Sequence, residues 1–254
     1  VTAEDYKTLV KSLYANAQAV QVYGGEDAET PDYGKVYISI KAKSGSNLTV
    51  ATKESLVTSL KSYAVASVTP VIIDPETTYI TLVVNFKYNS GATTKDVTTL
   101  QTNVLTKIAS YNNDTLEDFA GMFRYSKLTE AVNDADTSIL SNITTVKMYK
   151  YITPTLSSAL KYTLSFNNAL YNPHSGHNST AGGIVSSTGF KINDDDSLNE
   201  HFLDDDGAGI LRVYYLSGTA RVYTDATYGT IDYATGEVIL TSANITSISN
   251  VDGA

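Results

Sequence analysis

The hydrophobic pattern changes period near residue 155, and this change limits the fold more than any other feature of the chain. Upstream, stretches with apolar residues every three or four positions alternate with stretches in which every second residue is apolar. Downstream, only the second kind continues. A chain of 254 residues written this way encodes helix-bearing modules followed by a mainly β module, with enough length for more than one core. Its longest apolar runs are strand-length, and none approaches the roughly 18 residues that span a bilayer.

Thr2-Ala3-Glu4-Asp5 reads as an N-cap with an acidic first turn, followed by Tyr6, Leu9, Val10 and Leu13 at helical spacing. Strands follow at 20–23 and 36–40, and Thr52 is the expected cap of a second helix carrying Leu56, Val57, Leu60 and Tyr63. Pro70 and Pro75 bracket a short extended stretch at 71–73. A second round then begins. A strand spans 79–88 with Ile80, Leu82, Val84 and Phe86 on one face, and Thr93-x-x-Asp96 opens a helix bearing Val97, Leu100, Val104, Leu105 and Ile108. The stretch 119–125 fits strand or helix, Ser126 caps a short helix, and a long strand covers 143–151 before Pro154. The expected fold class is therefore α+β. Two small α/β subdomains, mixed sheets with helices on one face, occupy 1–75 and 76–153, and a mainly β domain with long Gly/Asp-rich loops occupies 154–254. Within the last, 211–223 reads as a hairpin around Ser217-Gly218. A second hairpin spans 229–240, where Gly236 supplies the positive φ of the turn. Ile245, Ile248 and Val251 read as a trailing end, and the opening on Val1 without a leader reads as a fragment or processed product.

Composition removes several function classes. Lys and Arg number 18 against 27 Asp and Glu, a net charge of -9, which is poorly suited to gripping a nucleic-acid phosphate backbone. With no Cys, disulfide frameworks, thiolate metal sites and cysteine nucleophiles are absent. Tyr outnumbers Phe 19 to 6 and charged residues reach only 18%, a make-up suited to strands and assembly contacts.

The search for chemistry returns weak patterns. His174-x-x-His177 lies in the same region as Asp194-Asp195-Asp196 and Asp204-Asp205-Asp206, and these residues could form a His/carboxylate metal site. Pro173 and Gly176 disfavour a helix there, so a polar loop is the simpler reading. If Gly207 is placed at the EF-hand turn position, Phe202 and Val213 fall where ligands are required, and the motif fails. A loose calcium site and an acidic loop that keeps the protein soluble or meets a basic partner are both open readings. The segment Ala181–Gly189 matches neither a nucleophile elbow nor a phosphate-binding loop. Tyr214, Tyr215 and Tyr223 read as cross-strand packing or protein contact in preference to a sugar platform.

Val1–Tyr6, Val20-Gln21-Val22-Tyr23-Gly24-Gly25-Glu26-Asp27 and Tyr33–Lys41 together resemble the core of baseplate-J-like proteins of contractile-tailed phages. Asn172-Pro173-His174, Ser186–Phe190, Phe202–Gly207 and Gly229-Thr230-Ile231-Asp232-Tyr233-x-x-Gly236 narrow the resemblance to the C-terminal half of T-even-type baseplate wedge proteins. The resemblance implies a structural virion protein without catalysis, cofactor or metal. It also implies a homodimer that joins other wedge proteins, links wedges into a ring and rearranges to trigger sheath contraction. Phe190, Phe202, Tyr214 and Tyr215 are the candidate partner-contact residues, and Asp74, Pro75 and Pro154 the candidate hinges. Two rival readings accompany it: a carbohydrate- or cell-surface-binding module with a groove near Tyr214, Tyr215 or Tyr223, and a metal-dependent hydrolase using His174, His177 and the Asp triplets.

Overall fold

The computed structural model describes residues 2–28, 31–44, 47–64, 68–177, 183–193, 195 and 199–249. Ala181, Gly182, Asp194, Asp196 and Val251 therefore lie outside the described residues. The chain forms two compact units, residues 1–77 with 81–147 and residues 78–80 with 148–254. The fold is α+β.

In the first unit, α1 (Ala3–Leu13) starts where expected: Thr2 and Asp5 form a reciprocal capping box. Strands β1 (Ala17–Gly24), β2 (Lys35–Ala42) and β3 (Thr69–Ile73) form one sheet in that order. β1 runs antiparallel and β3 parallel to β2. A parallel neighbour needs a crossover, and α2 (Val50–Lys61) lies in that connection. Pro70 is part of β3, as an edge strand tolerates. Tyr6, Val10, Val20, Val22, Ile38, Ile40, Leu56 and Leu60 pack as one core. The cap of α2 is Thr49, one turn before Thr52, whose N–H donates to the Thr49 hydroxyl at 3.3 Å. Leu48 is buried in the same core and fixes the chain's entry at that point.

The unit's second core is smaller. β4 (Tyr79–Tyr88) alternates exposed and half-buried residues as read, and pairs only with β5 (Ile139–Tyr149) among the described strands. This sheet has two strands and is not the mixed sheet expected. α3 (Val97–Tyr111) is capped by Asp96, which accepts the Thr99 N–H at 2.8 Å, because Thr93 is committed to the Lys95 N–H at 3.1 Å. Residues 119–124 are neither strand nor helix. The Tyr111 hydroxyl accepts the Arg124 N–H at 3.1 Å and so sets the start of α4 (Tyr125–Asn133), where Arg124 replaces the expected Ser126 cap. Val104, Val132 and Ile139 form the core with Val84, Phe86 and Ile108.

The second unit is a barrel. β6 (Ala159–Ser165), β7 (Phe190–Ile192), β8 (His201–Asp205), β9 (Ile210–Ser217), β10 (Ala220–Asp232) and β11 (Glu237–Ile248) line up as β10-β9-β8-β7-β11-β6. Gly229–Asp232 of β10 also pairs with Glu237–Leu240 of β11, closing five antiparallel strands and leaving β6 on the outside of β11. Both expected hairpins form. Gly236 has φ +75°, and a Cβ there would stand 2.2 Å from the Asn168 carbonyl oxygen, so the site excludes other residues twice over. Ile245 and Ile248 belong to β11 and do not trail.

Candidate interaction surface

The triplet Arg-Val-Tyr occurs on both arms of the β9–β10 hairpin, as Arg212-Val213-Tyr214 and Arg221-Val222-Tyr223. Antiparallel pairing sets Tyr223 opposite Tyr214 and Arg221 opposite Leu216, so each arginine lies diagonally across from the other arm's tyrosine. Arg212 stacks over the Tyr223 ring at 4.5 Å and Arg221 over the Tyr214 ring at 4.6 Å. β8 adds Phe202, 5.8 Å from Tyr214 between ring centres, and Asp204 opposite Arg212. These side chains share the outer face of the barrel wall, while Leu203, Leu211 and Val213 point into the core.

Asp204 is the keystone of this face. Only 1% of it is exposed, roofed by its own donors. Oδ1 accepts from Arg212 Nε at 2.9 Å. Oδ2 accepts from Arg221 Nη1 at 2.6 Å and from the Tyr223 hydroxyl at 2.9 Å. Arg212 Nη2 also donates to the Asp205 carbonyl at 2.9 Å. Burial, then Asp204, pushes the Tyr223 hydroxyl above its ordinary pKa and keeps it a donor. The result is a set of rings and guanidinium planes held rigid before any partner arrives.

Of the residues expected to make contacts, Phe202 and Tyr214 lie on this face, half-buried. Tyr215 turns to the opposite face, where its ring meets His201 at 5.9 Å. Phe190 requires a correction: expected at the surface, it is only 5% exposed and belongs to the barrel core. Its position in a three-residue strand paired to β8 turns the ring inward. Arg212, Arg221 and Leu216 were not anticipated, although the repeated triplet flanking a Ser-Gly turn was a readable signal.

The acidic motif resolves into separate tasks. Asp205, fully buried, accepts the Ile184 and Val185 N–H groups at 2.7 Å each, the Gly207 N–H at 3.2 Å and the Tyr233 hydroxyl at 2.6 Å. Asp206 caps its turn through the Ala208 and Ile210 N–H groups at 2.8 and 2.9 Å. His174 and His177 contact each other, ring nitrogens 3.1 Å apart, on a surface turn. His201 is fully buried, with Nε2 3.0 Å from Asp195 and 3.1 Å from Thr224. Among the described residues no three His, Cys, Asp or Glu side chains assemble into a metal-ligand set. The Tyr214 and Tyr223 rings meet at 60° and each carries a guanidinium, so they do not form a flat sugar platform.

The candidate hinges are tethered. Asp74 pairs with Lys53 of α2 at 2.7 Å. Pro154 is buried, and the next turn is tied down by the Thr155 N–H to the Tyr162 hydroxyl at 2.8 Å and the Ser157 N–H to the Ile245 carbonyl at 2.7 Å.

Comparison with known proteins places these helix-bearing modules and the barrel in a family. Residues 2–73 match the family described as baseplate structural protein gp6, C-terminal domain I, and residues 76–151 match gp6 C-terminal domain III. The chain is 31% identical over 196 residues to the baseplate wedge protein gp6 of Enterobacteria phage T4, covering 69% of this chain and 29% of that relative. The chain thus spans about 29% of the length of the curated relative it matches. It belongs to the gp6-type family of baseplate wedge proteins and corresponds to a C-terminal part of them. It is a structural protein of the contractile-tail baseplate of a phage virion.

Proposed function

We propose that this chain is a non-catalytic scaffold piece whose function lies in its interfaces. It dimerises, contacts other wedge proteins, and helps link wedges into a ring whose rearrangement precedes sheath contraction. The observation that carries this reading is the succession of gp6 C-terminal domains over 2–151, followed by a barrel whose outer face is built of arginine and tyrosine. Arg and Tyr are enriched where binding energy concentrates in protein interfaces. Phe202, Tyr214 and Tyr215 remain the proposed contact residues, joined by Tyr223 and Arg221. The modules 1–75, 76–153 and 154–254 are proposed to move as rigid bodies about Asp74-Pro75 and Pro154, with the Lys53–Asp74 pair as a restraint on the first link. Absence of catalysis is part of the proposal, supported by the commitment of Asp204, Asp205 and Asp206 to protein donors. Light scattering on the purified chain at tens of micromolar tests the dimer: twice the 27.3 kDa chain mass is expected, and a strictly monomeric mass would overturn self-association.

A further inference from the structure

We infer that the Arg221 face of the barrel receives a carboxylate from an acidic protein partner. The assignment rests on reading the chain as an assembly protein and names the chemistry that this surface accepts. Two arginines and one aspartate occupy the face, so 2 − 1 leaves one positive charge uncompensated, on a chain whose total is 18 − 27 = -9.

The surplus is located on one group. Arg212 spends Nε and Nη2 on Asp204 and the Asp205 carbonyl, and its side chain is 16% exposed. Arg221 is 36% exposed and gives Nη1 to Asp204, with the Tyr223 hydroxyl as its other polar neighbour, so its fork is less committed than that of Arg212. A guanidinium has five N–H donors in a fork that matches a carboxylate. Stacking on Tyr214 and anchoring to Asp204 already fix the plane of this fork, so ordering it on binding costs little.

The surroundings suit a protein carboxylate flanked by apolar groups. Leu216, opposite Arg221 in register, is 51% exposed, and Tyr223 is 39% exposed. Among the described residues β10 meets β11 only from Gly229 onward, and Arg221 to Tyr223 are exposed.

The test uses the intact chain at low ionic strength, with arginine Nε–H signals followed by NMR during titration with poly-L-glutamate. The Arg221 Nε–H and Tyr214 ring signals should shift, and the response should vanish in Arg221→Gln. It should also vanish in Leu216→Glu, an exposed substitution that places a carboxylate beside Arg221 without touching Asp204. An unmoved Arg221 signal, a response surviving in Leu216→Glu, or a larger response to polyuridylate overturns the proposal. Light scattering on the same samples separates the two readings. A monomeric chain whose Arg221 still answers poly-L-glutamate removes the dimer and leaves this inference standing. A dimer that ignores poly-L-glutamate removes this inference alone.

Discussion

Adjacent carboxylates at 204 and 205 point to opposite faces of the same strand, and each is satisfied entirely by protein donors. Asp205 anchors the segment before β7 to the barrel, and Tyr233 supplies one of its four hydrogen bonds. Tyr233→Phe should cost about 1.5–3 kcal/mol, the range for a hydrogen bond to a charged group, at constant m-value in urea denaturation. Asp204→Asn should cost a similar amount, toward the lower end because Arg221 can turn to water. It should also release both rings, visible as altered Tyr214 and Tyr223 signals by NMR. The sequence displayed these residues as an Asp triplet and suggested a cation. It could not show that two arginines and a tyrosine converge on Asp204, because they lie 8 to 19 residues further along the chain and only pairing register brings them together.

The caps decide where helices begin, and three of the four lie two or three residues from the position read in the sequence. For α2, Thr49→Ala should destabilise by about 1 kcal/mol, and Thr52→Ala should have a clearly smaller effect, measured by thermal melting. Thr52 gives the cap its backbone N–H, which alanine retains, and would lose only its exposed hydroxyl–hydroxyl hydrogen bond with Thr49 at 2.9 Å. Element junctions also carry the chain's clearest acid sensitivity. Asp136, before β5, is held to about 2, first by the Lys95 ion pair at 2.5 Å and then by the Ser138 N–H and hydroxyl. A depressed folded pKa gives stability that is complete above the unfolded value of 3.8 and lost as pH falls through about 2. Lys95→Ala should therefore shrink the loss of stability between pH 4 and 2, measured by urea midpoints across that window. Helix and strand identity was legible here because burial follows periodicity, as in the alternation of β4. Cap identity was not, because Thr49 and Thr52 are chemically equal, and only the burial of Leu48 chooses between them.

For the whole molecule, charge balance sets behaviour in solution. At net -9 copies repel beyond contact range, and the charge vanishes near pH 4.7, so turbidity should peak there and fall on either side. Interfaces must overcome that repulsion through local chemistry, which is why a rigid patch of surplus positive charge matters in so acidic a chain. Periodicity and turn residues determined the α+β class, most helices and strands up to residue 151 and both C-terminal hairpins, because these depend on neighbours a few positions apart, and composition determined the acidic balance. The short β7 and β8 offered too few residues for a period to be read. Closure of the barrel by β10 on β11, the inward turn of Phe190 and the stacking of each Arg-Val-Tyr arm on the other were decided only by tertiary structure. Each depends on which strands meet and in what register, and a register shift of one residue would turn every one of those side chains to the opposite face.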